Sequence, residues 1–138
     1  MDIDYAILAD HAEVVAGKLY LMGGGWDTRY VKEVPSQGRL AVALGVRFGW
    51  EETNQPTPVH ITVEDDDGKQ LVRAQANVNV GRPPHLPPGS TQLTQLAIAL
   101  PVNFQAYGGY RVVIRAGEGD SAIERILPFR VAQPPVRR

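Results

Sequence analysis

The sequence predicts an all-β protein, a two-sheet sandwich or a barrel of about eight short strands. Three observations predict it. Apolar residues alternate at a spacing of two from one end to the other, and no apolar stripe at three- and four-residue spacing runs for three turns. Glycine and proline are abundant, 14 and 11 among 138 residues, which implies many turns. Finally, Asp67-Gly68 stands between two alternating runs, the strongest short-range signal for a β-hairpin.

The elements follow in chain order. Asp4 to Ala9 and Lys18 to Met22 read as strands, and Trp26 to Val31 as a third after Gly23-Gly24-Gly25. Arg39 to Trp50 alternates most clearly, with Leu40, Val42, Leu44, Val46, Phe48 and Trp50 on a core face. A two-residue type I′ turn at Asp67-Gly68 would set Asp66 opposite Lys69. The pairing then places Val63 opposite Val72, Ile61 opposite Ala74, Val59 opposite Ala76 and Thr57 opposite Val78 on one face. Glu64 with Leu71, Thr62 with Arg73 and His60 with Gln75 form the other, and a one-residue slip would mix the two sets.

Gly81 to Gly89 carries four prolines and reads as an extended surface loop, because proline donates no ladder hydrogen bond. Thr94 to Leu100 is a further strand with Leu96, Ile98 and Leu100 inward. Gly109 to Ala116 and Ser121 to Val131 form a second hairpin. A two-residue turn there would set Val112 against Arg125, so a bulge or longer loop is expected. Residues 1–132 make one domain and 133–138, with Pro134-Pro135 and two terminal arginines, a flexible tail.

Composition narrows function by exclusion. With 14 Lys+Arg against 15 Asp+Glu, the net charge of -1 gives no long-range attraction for nucleic acid or an anionic membrane. The absence of cysteine excludes disulfides, thiol catalysis and thiolate zinc sites. No apolar run approaches a membrane span, and the acidic start Met1-Asp2-Ile3-Asp4 is unlike a secretory signal, so a cytoplasmic location is expected.

From Leu8 to Trp26 the chain carries Ala9-Asp10, then Gly17-Lys18-Leu19, an apolar strand and Gly23-Gly24-Gly25-Trp26. In this pattern it resembles a family of small uncharacterised bacterial proteins, a domain of unknown function. The likeness continues through the Glu64 to Lys69 turn and from Gly109-Tyr110 to Phe129-Arg130-Val131. The resemblance implies an immunoglobulin-like two-sheet antiparallel β-sandwich of about eight strands, and brings no catalytic residues.

No motif in the chain carries a complete set of catalytic or ligand-binding residues. Gly23-Gly24-Gly25 precedes Trp26-Asp27 without the Lys-Ser/Thr of a phosphate loop, so a tight turn or bulge is the plainer reading. Aligning Gly68 to the invariant glycine of a calcium loop places Val63 and Ala74 at ligand positions, so the helix–loop–helix calcium motif fails. His11, His60 and His85 show no convergent spacing, and none of Ser36, Ser90 and Ser121 sits in a nucleophile elbow beside Asp10-His11. Pro84 and Pro87 form one Pro-x-x-Pro, a stiff connector or a partner-binding loop that includes His85. No cofactor or metal is expected.

The most informative oddity is the second face of Arg39 to Trp50, where Ala41, Ala43, Gly45 and Gly49 are too small for an ordinary solvent-facing strand. Something approaches that backbone closely. It is either a loop or the N-terminal segment of the same chain, or else another subunit or a flat ligand. The leading expectation is a non-enzymatic interaction or assembly module, with a protein partner or self-association, and Trp26, Asp27, Arg29, Ala41, Ala43, Gly45 and His85 as candidate surface residues. The alternative is a small-ligand or carbohydrate binder using Trp26, Trp50 or Tyr107. Open edge strands make pairing between chains a further expectation, with Pro56, Pro58 and Pro128 as edge protectors.

Overall fold

The computed structural model describes residues 1–136, and the last two residues of the expected tail lie outside them. Among the described residues nine strands form: β1 (Asp2–Val15), β2 (Lys18–Gly24), β3 (Thr28–Tyr30), β4 (Ser36–Phe48), β5 (Pro56–Asp65), β6 (Gln70–Asn79), β7 (Gln92–Phe104), β8 (Gly108–Ala116) and β9 (Ile123–Ala132). They make two sheets, β2-β1-β4-β7 and β3-β9-β8-β5-β6. All pairings are antiparallel except β3 with β9, which is parallel over three residues. The fold is therefore the expected β-sandwich, with one parallel edge that the sequence pattern did not signal.

Alternation decides what lies between the sheets. Leu40, Val42, Leu44, Val46 and Phe48 of β4 meet Val59, Ile61, Val63, Val112, Ile114 and Ala116 in one buried cluster. One end is closed by aromatic rings: Phe104 packs edge-on to Tyr110 at 5.2 Å and to Phe129 at 6.1 Å, and Tyr110 stacks on Phe129 at 5.6 Å. Such ring geometries add to area burial because the positive edge of one ring meets the negative face of the next. The Tyr110 hydroxyl, carried into this apolar region, donates to the Ala106 carbonyl.

The β5–β6 register is as the sequence predicts at Val63–Val72, Ile61–Ala74, Val59–Ala76, Thr57–Val78, Thr62–Arg73 and His60–Gln75. The tip differs. Glu64 pairs with Gln70 rather than Leu71, after a bulge between Val63 and Glu64. The Asp65 amide bonds the Lys69 carbonyl and the Gly68 amide bonds the Asp65 carbonyl, so three residues rather than two make the loop. Only Gly68 takes a positive φ, and the Asp65 carboxylate accepts from the amides of Asp67 and Lys69. That local bond offers Asp67 a right-handed alternative to the two positive φ values a type I′ turn demands.

The β8–β9 connection is longer than two residues, with a 3-10 turn at Gly119–Ser121. Arg125 consequently falls opposite Ile114, not Val112, and its guanidinium donates to the Ile3 carbonyl at the rim of the core. A second correction concerns Trp50. The strand stops at Phe48, and Trp50 opens a 3-10 turn outside the sheet, with the Arg82 guanidinium 4.3 Å from its ring centroid. The long strands β1 and β7 extend at both ends beyond the stretch that alternation marks, and β4 begins earlier, at Ser36.

Candidate functional site

The small face of β4 is covered by the chain itself. Tyr5, Ile7 and Ala9 of β1 flank Gly45, Ala43 and Ala41 on one side, and Gln95, Ala97 and Ala99 of β7 flank them on the other. The Tyr5 ring lies where any Cβ on Gly45 would stand, and its hydroxyl donates to Gln95 Oε1 at 2.5 Å. Beyond Ala9, β1 leaves β4 and pairs only with β2. That hairpin turns at Ala16-Gly17, both at positive φ, and its tip reaches β7, where Gln95 Nε2 donates to the Gly17 carbonyl at 2.6 Å. The hairpin thus folds over the outer face of its own sheet, with the half-buried Ala12, Val14, Leu19 and Leu21 on one side and the exposed Val15, Tyr20 and Met22 on the other.

Ala41, Ala43 and Gly45 are consequently buried, and as surface-binding candidates they are corrected to core. Of the two occupants that the small residues imply, the N-terminal segment of the same chain is the one observed. The glycine triad serves this crossing. Gly23 and Gly25 take positive φ, the Asp10 side chain fills the space beside Gly23, and the Gly25 amide bonds the Leu8 carbonyl.

Trp26, Asp27 and Arg29 attach β3 to the sandwich. Trp26 packs edge-on to Phe129 at 5.9 Å, the Arg29 guanidinium lies 5.6 Å from its ring, and the Asp27 carbonyl accepts from the Arg130 amide. Trp26 Nε1 and Arg29 Nη1 are buried without a hydrogen-bond partner among the described residues. His85 is exposed in the proline loop, which Arg82 pins to Thr53 Oγ1 and the Trp50 carbonyl. Since Trp26 follows the Gly25 link to Leu8, near Ala41, while Trp50 follows the far end of β4, these residues sit at opposite ends and do not converge. Tyr107 spends its hydroxyl on the Val31 carbonyl.

The ionisable candidates are likewise occupied or dispersed. Ser90 and Ser121 donate to carbonyls three residues back, and Asp10 and His11 are exposed on the hairpin. Arg47 bridges Asp4 at 2.7 Å, and its hydrogen bond to that carboxylate raises its pKa above the usual guanidinium value. Tyr5 is raised by burial and by Asp4. Burial pushes the Glu52 carboxyl up, but hydrogen bonds from the Met1 ammonium and the Gly49 amide, with the attraction of that ammonium, bring it below the ordinary carboxylate value. None of these groups lines a closed cavity. A groove of about 620 Å³ bounded by Gln37, Gly38, Arg39, Leu71, Pro101, Val102 and Asn103 is open to solvent and presents one charged side chain.

The strand β7 is an open edge of the four-stranded sheet. The Leu8 carbonyl points away from β4 to accept from Gly25, so Tyr5, Ile7 and Ala9 direct their backbone groups toward Gly45, Ala43 and Ala41. The even residues of β4 therefore bond β7, through Thr94, Leu96, Ile98 and Leu100. The N–H and C=O groups of Leu93, Gln95, Ala97 and Ala99 face outward, and none has a backbone partner among the described residues. Pro101 falls in the same phase, its missing donor on the open side, where proline is tolerated. Over 13 residues, β7 holds no charged side chain.

Pro101 corrects the expected assignment of edge prolines. Pro56 and Pro58 lie in β5, an interior strand, and face the end of β8, where the Gly117 amide meets the Pro58 carbonyl. Pro128 lies in β9 just before its pairing with β3 begins, on a stretch of open edge. The sequence reading shortened β7 to Thr94–Leu100 and so missed its edge character. The available signal was a long uncharged apolar run interrupted by a proline.

Residues 4–132 match a family of unknown function. The chain belongs to that family, DUF6941. No curated protein matches the chain. Among solved structures, the CARDB domain of the PF1109 protein from Pyrococcus furiosus, crystallised in complex with di-metal ions, is 10% identical. That similarity covers 78% of this chain and 86% of the other, with a TM-score of 0.46. Structural genomics target SoR45 is 16% identical over 75% of this chain and 79% of its own, with a TM-score of 0.29. Among the described residues no group of three His, Asp or Glu is placed to hold a metal ion.

Proposed function

We propose that this DUF6941 protein is a non-enzymatic interaction module and that the open edge of β7 is its docking element. The observation that carries the reading is a 13-residue uncharged edge strand whose outward N–H and C=O groups at Leu93, Gln95, Ala97 and Ala99 are unpaired. Sheets usually blunt such edges with lysine, bulges or cover, because an exposed row of donors and acceptors is a template for another strand. Strand addition obtains its affinity from main-chain bonds and its selectivity from the side chains that alternate beside them. Here those side chains are Leu93, Gln95, Ala97 and Ala99, none large enough to obstruct an incoming backbone.

Ala97→Pro tests the reading. It removes a donor from the open side and leaves the bonds to β4 intact, as Pro101 does. Chemical cross-linking in the native host is expected to trap the wild-type protein with a bound chain and to lose that product in Ala97→Pro. Equal cross-linking of both, with the variant folded by circular dichroism, overturns the edge as the docking element.

A further inference from the structure

We infer that the chain received by the β7 edge is a second copy of this protein, paired antiparallel about a two-fold axis at Leu96. The inference rests on reading β7 as a docking edge and names its occupant. An antiparallel pair centred on Leu96 sets Leu93 opposite Ala99 of the other copy and Gln95 opposite Ala97. Every residue with outward backbone groups between Leu93 and Ala99 then meets another such residue, and each facing pair exchanges both of its hydrogen bonds. Pro101 falls outside the ladder, since its counterpart would be Thr91, which precedes the strand.

Side-chain sizes match the same register. The largest outward residue, Leu93 at 41% exposed, faces Ala99, and the longer Gln95 faces Ala97. The strand is thus complementary to itself in shape, and with no charge on it two copies meet no like-charge repulsion. On the inner face, Leu96 would meet Leu96 and Ile98 would meet Thr94. Leu96 and Ile98 are only half-buried although their β4 neighbours Leu44 and Val42 are fully buried, so an added strand covers apolar surface that one copy leaves open. The other long open edge, β6, places the charged Arg73 among its outward residues.

Sedimentation of the full chain reads the outcome. The wild type is expected to run at about twice the chain mass of 15.1 kDa and to dissociate on dilution. Leu93→Lys with Ala99→Lys in one chain sets the introduced lysines against each other across the axis and should give a monomer. Leu93→Glu with Ala99→Glu should do the same. Mixing the two variants should restore a dimer containing one chain of each, because every facing pair is then of opposite charge. Both positions are exposed, so circular dichroism and melting temperature should stay near wild type.

A wild type that is monomeric up to its solubility limit overturns the inference. A dimer that survives the paired lysines overturns it too, as does a mixture that fails to reassociate. If the wild type is monomeric while Ala97→Pro still abolishes cross-linking to another protein, the second copy is wrong and the docking edge stands. If neither measurement responds, both fall.

Discussion

The outer faces of the two sheets look onto the same solvent but are built by different rules. On the five-stranded sheet, His60, Thr62 and Glu64 alternate with the buried Val59, Ile61 and Val63, and Arg111 and Arg115 alternate with Val112 and Ile114. On the four-stranded sheet, the positions between core residues hold Ala41, Ala43 and Gly45, and these are buried as well. A strand that must bury both faces can do so with bulk on only one of them when a second layer comes close. Here that layer is the hairpin of β1 and β2. The cover reaches β7 at Gln95 but does not pair its edge, so one sheet contains both a strand buried on its two faces and an unpaired edge.

The largest test of this contrast is a charge on each face. Ala43→Asp places an unpaired carboxylate beneath the hairpin and should cost about 3–5 kcal/mol or prevent folding, measured by urea denaturation. Ile126→Lys, on the solvated face at 47% exposure, should change stability by less than about 0.5 kcal/mol. Similar losses at both sites would show that the hairpin is not a permanent cover.

Next in size is the closest approach between the layers. Gly45→Val drives a side chain into the Tyr5 ring and should destabilise by about 1–3 kcal/mol, and adding Tyr5→Ala should recover part of that loss. Simple addition of the two losses in thermal unfolding would mean the ring does not lie over Gly45.

The hairpin turn offers a smaller change of opposite sign. Ala16 has φ +51°, a conformation costly to a residue with a Cβ, so Ala16→Gly should stabilise the protein by about 0.5–1 kcal/mol. A lowered melting temperature would contradict the turn geometry.

The smallest effect concerns the anchor at the start of β1. Because Glu52 is held below its ordinary pKa, its contribution is complete above the carboxylate range and is lost as pH falls through the lowered value. Glu52→Gln should flatten the acid limb of the stability profile. An acid limb identical to wild type would remove the ion pair with Met1 as an anchor.

Legibility followed the range of the interactions involved. The β5–β6 register could be read because pleat and turn act over a few residues, and it failed only from Glu64 to Gln70, where a bulge and a side-chain bond replaced the expected turn. The small face of β4 announced that something must approach it, but Ala41, Ala43 and Gly45 carry no mark that distinguishes a hairpin of the same chain from a partner. Trp26, Asp27 and Arg29 stood out beside the glycines, yet their rings and carbonyls serve β3 and β9. The open edge of β7 was marked in the sequence only by the proline that interrupts its uncharged run, because whether a strand is last in its sheet depends on neighbours distant in sequence.

The sequence by itself determined that this protein is all-β, which residues of most strands face its core, and where most of its turns fall. Alternation, proline and positive-φ glycine act on the backbone locally, so they need no knowledge of the partner strand. Only the tertiary structure decided strand order, the folding of the first hairpin over its own sheet, and the exposure of β7. Those depend on which backbone hydrogen bonds remain unpaired once every other strand has found its neighbour.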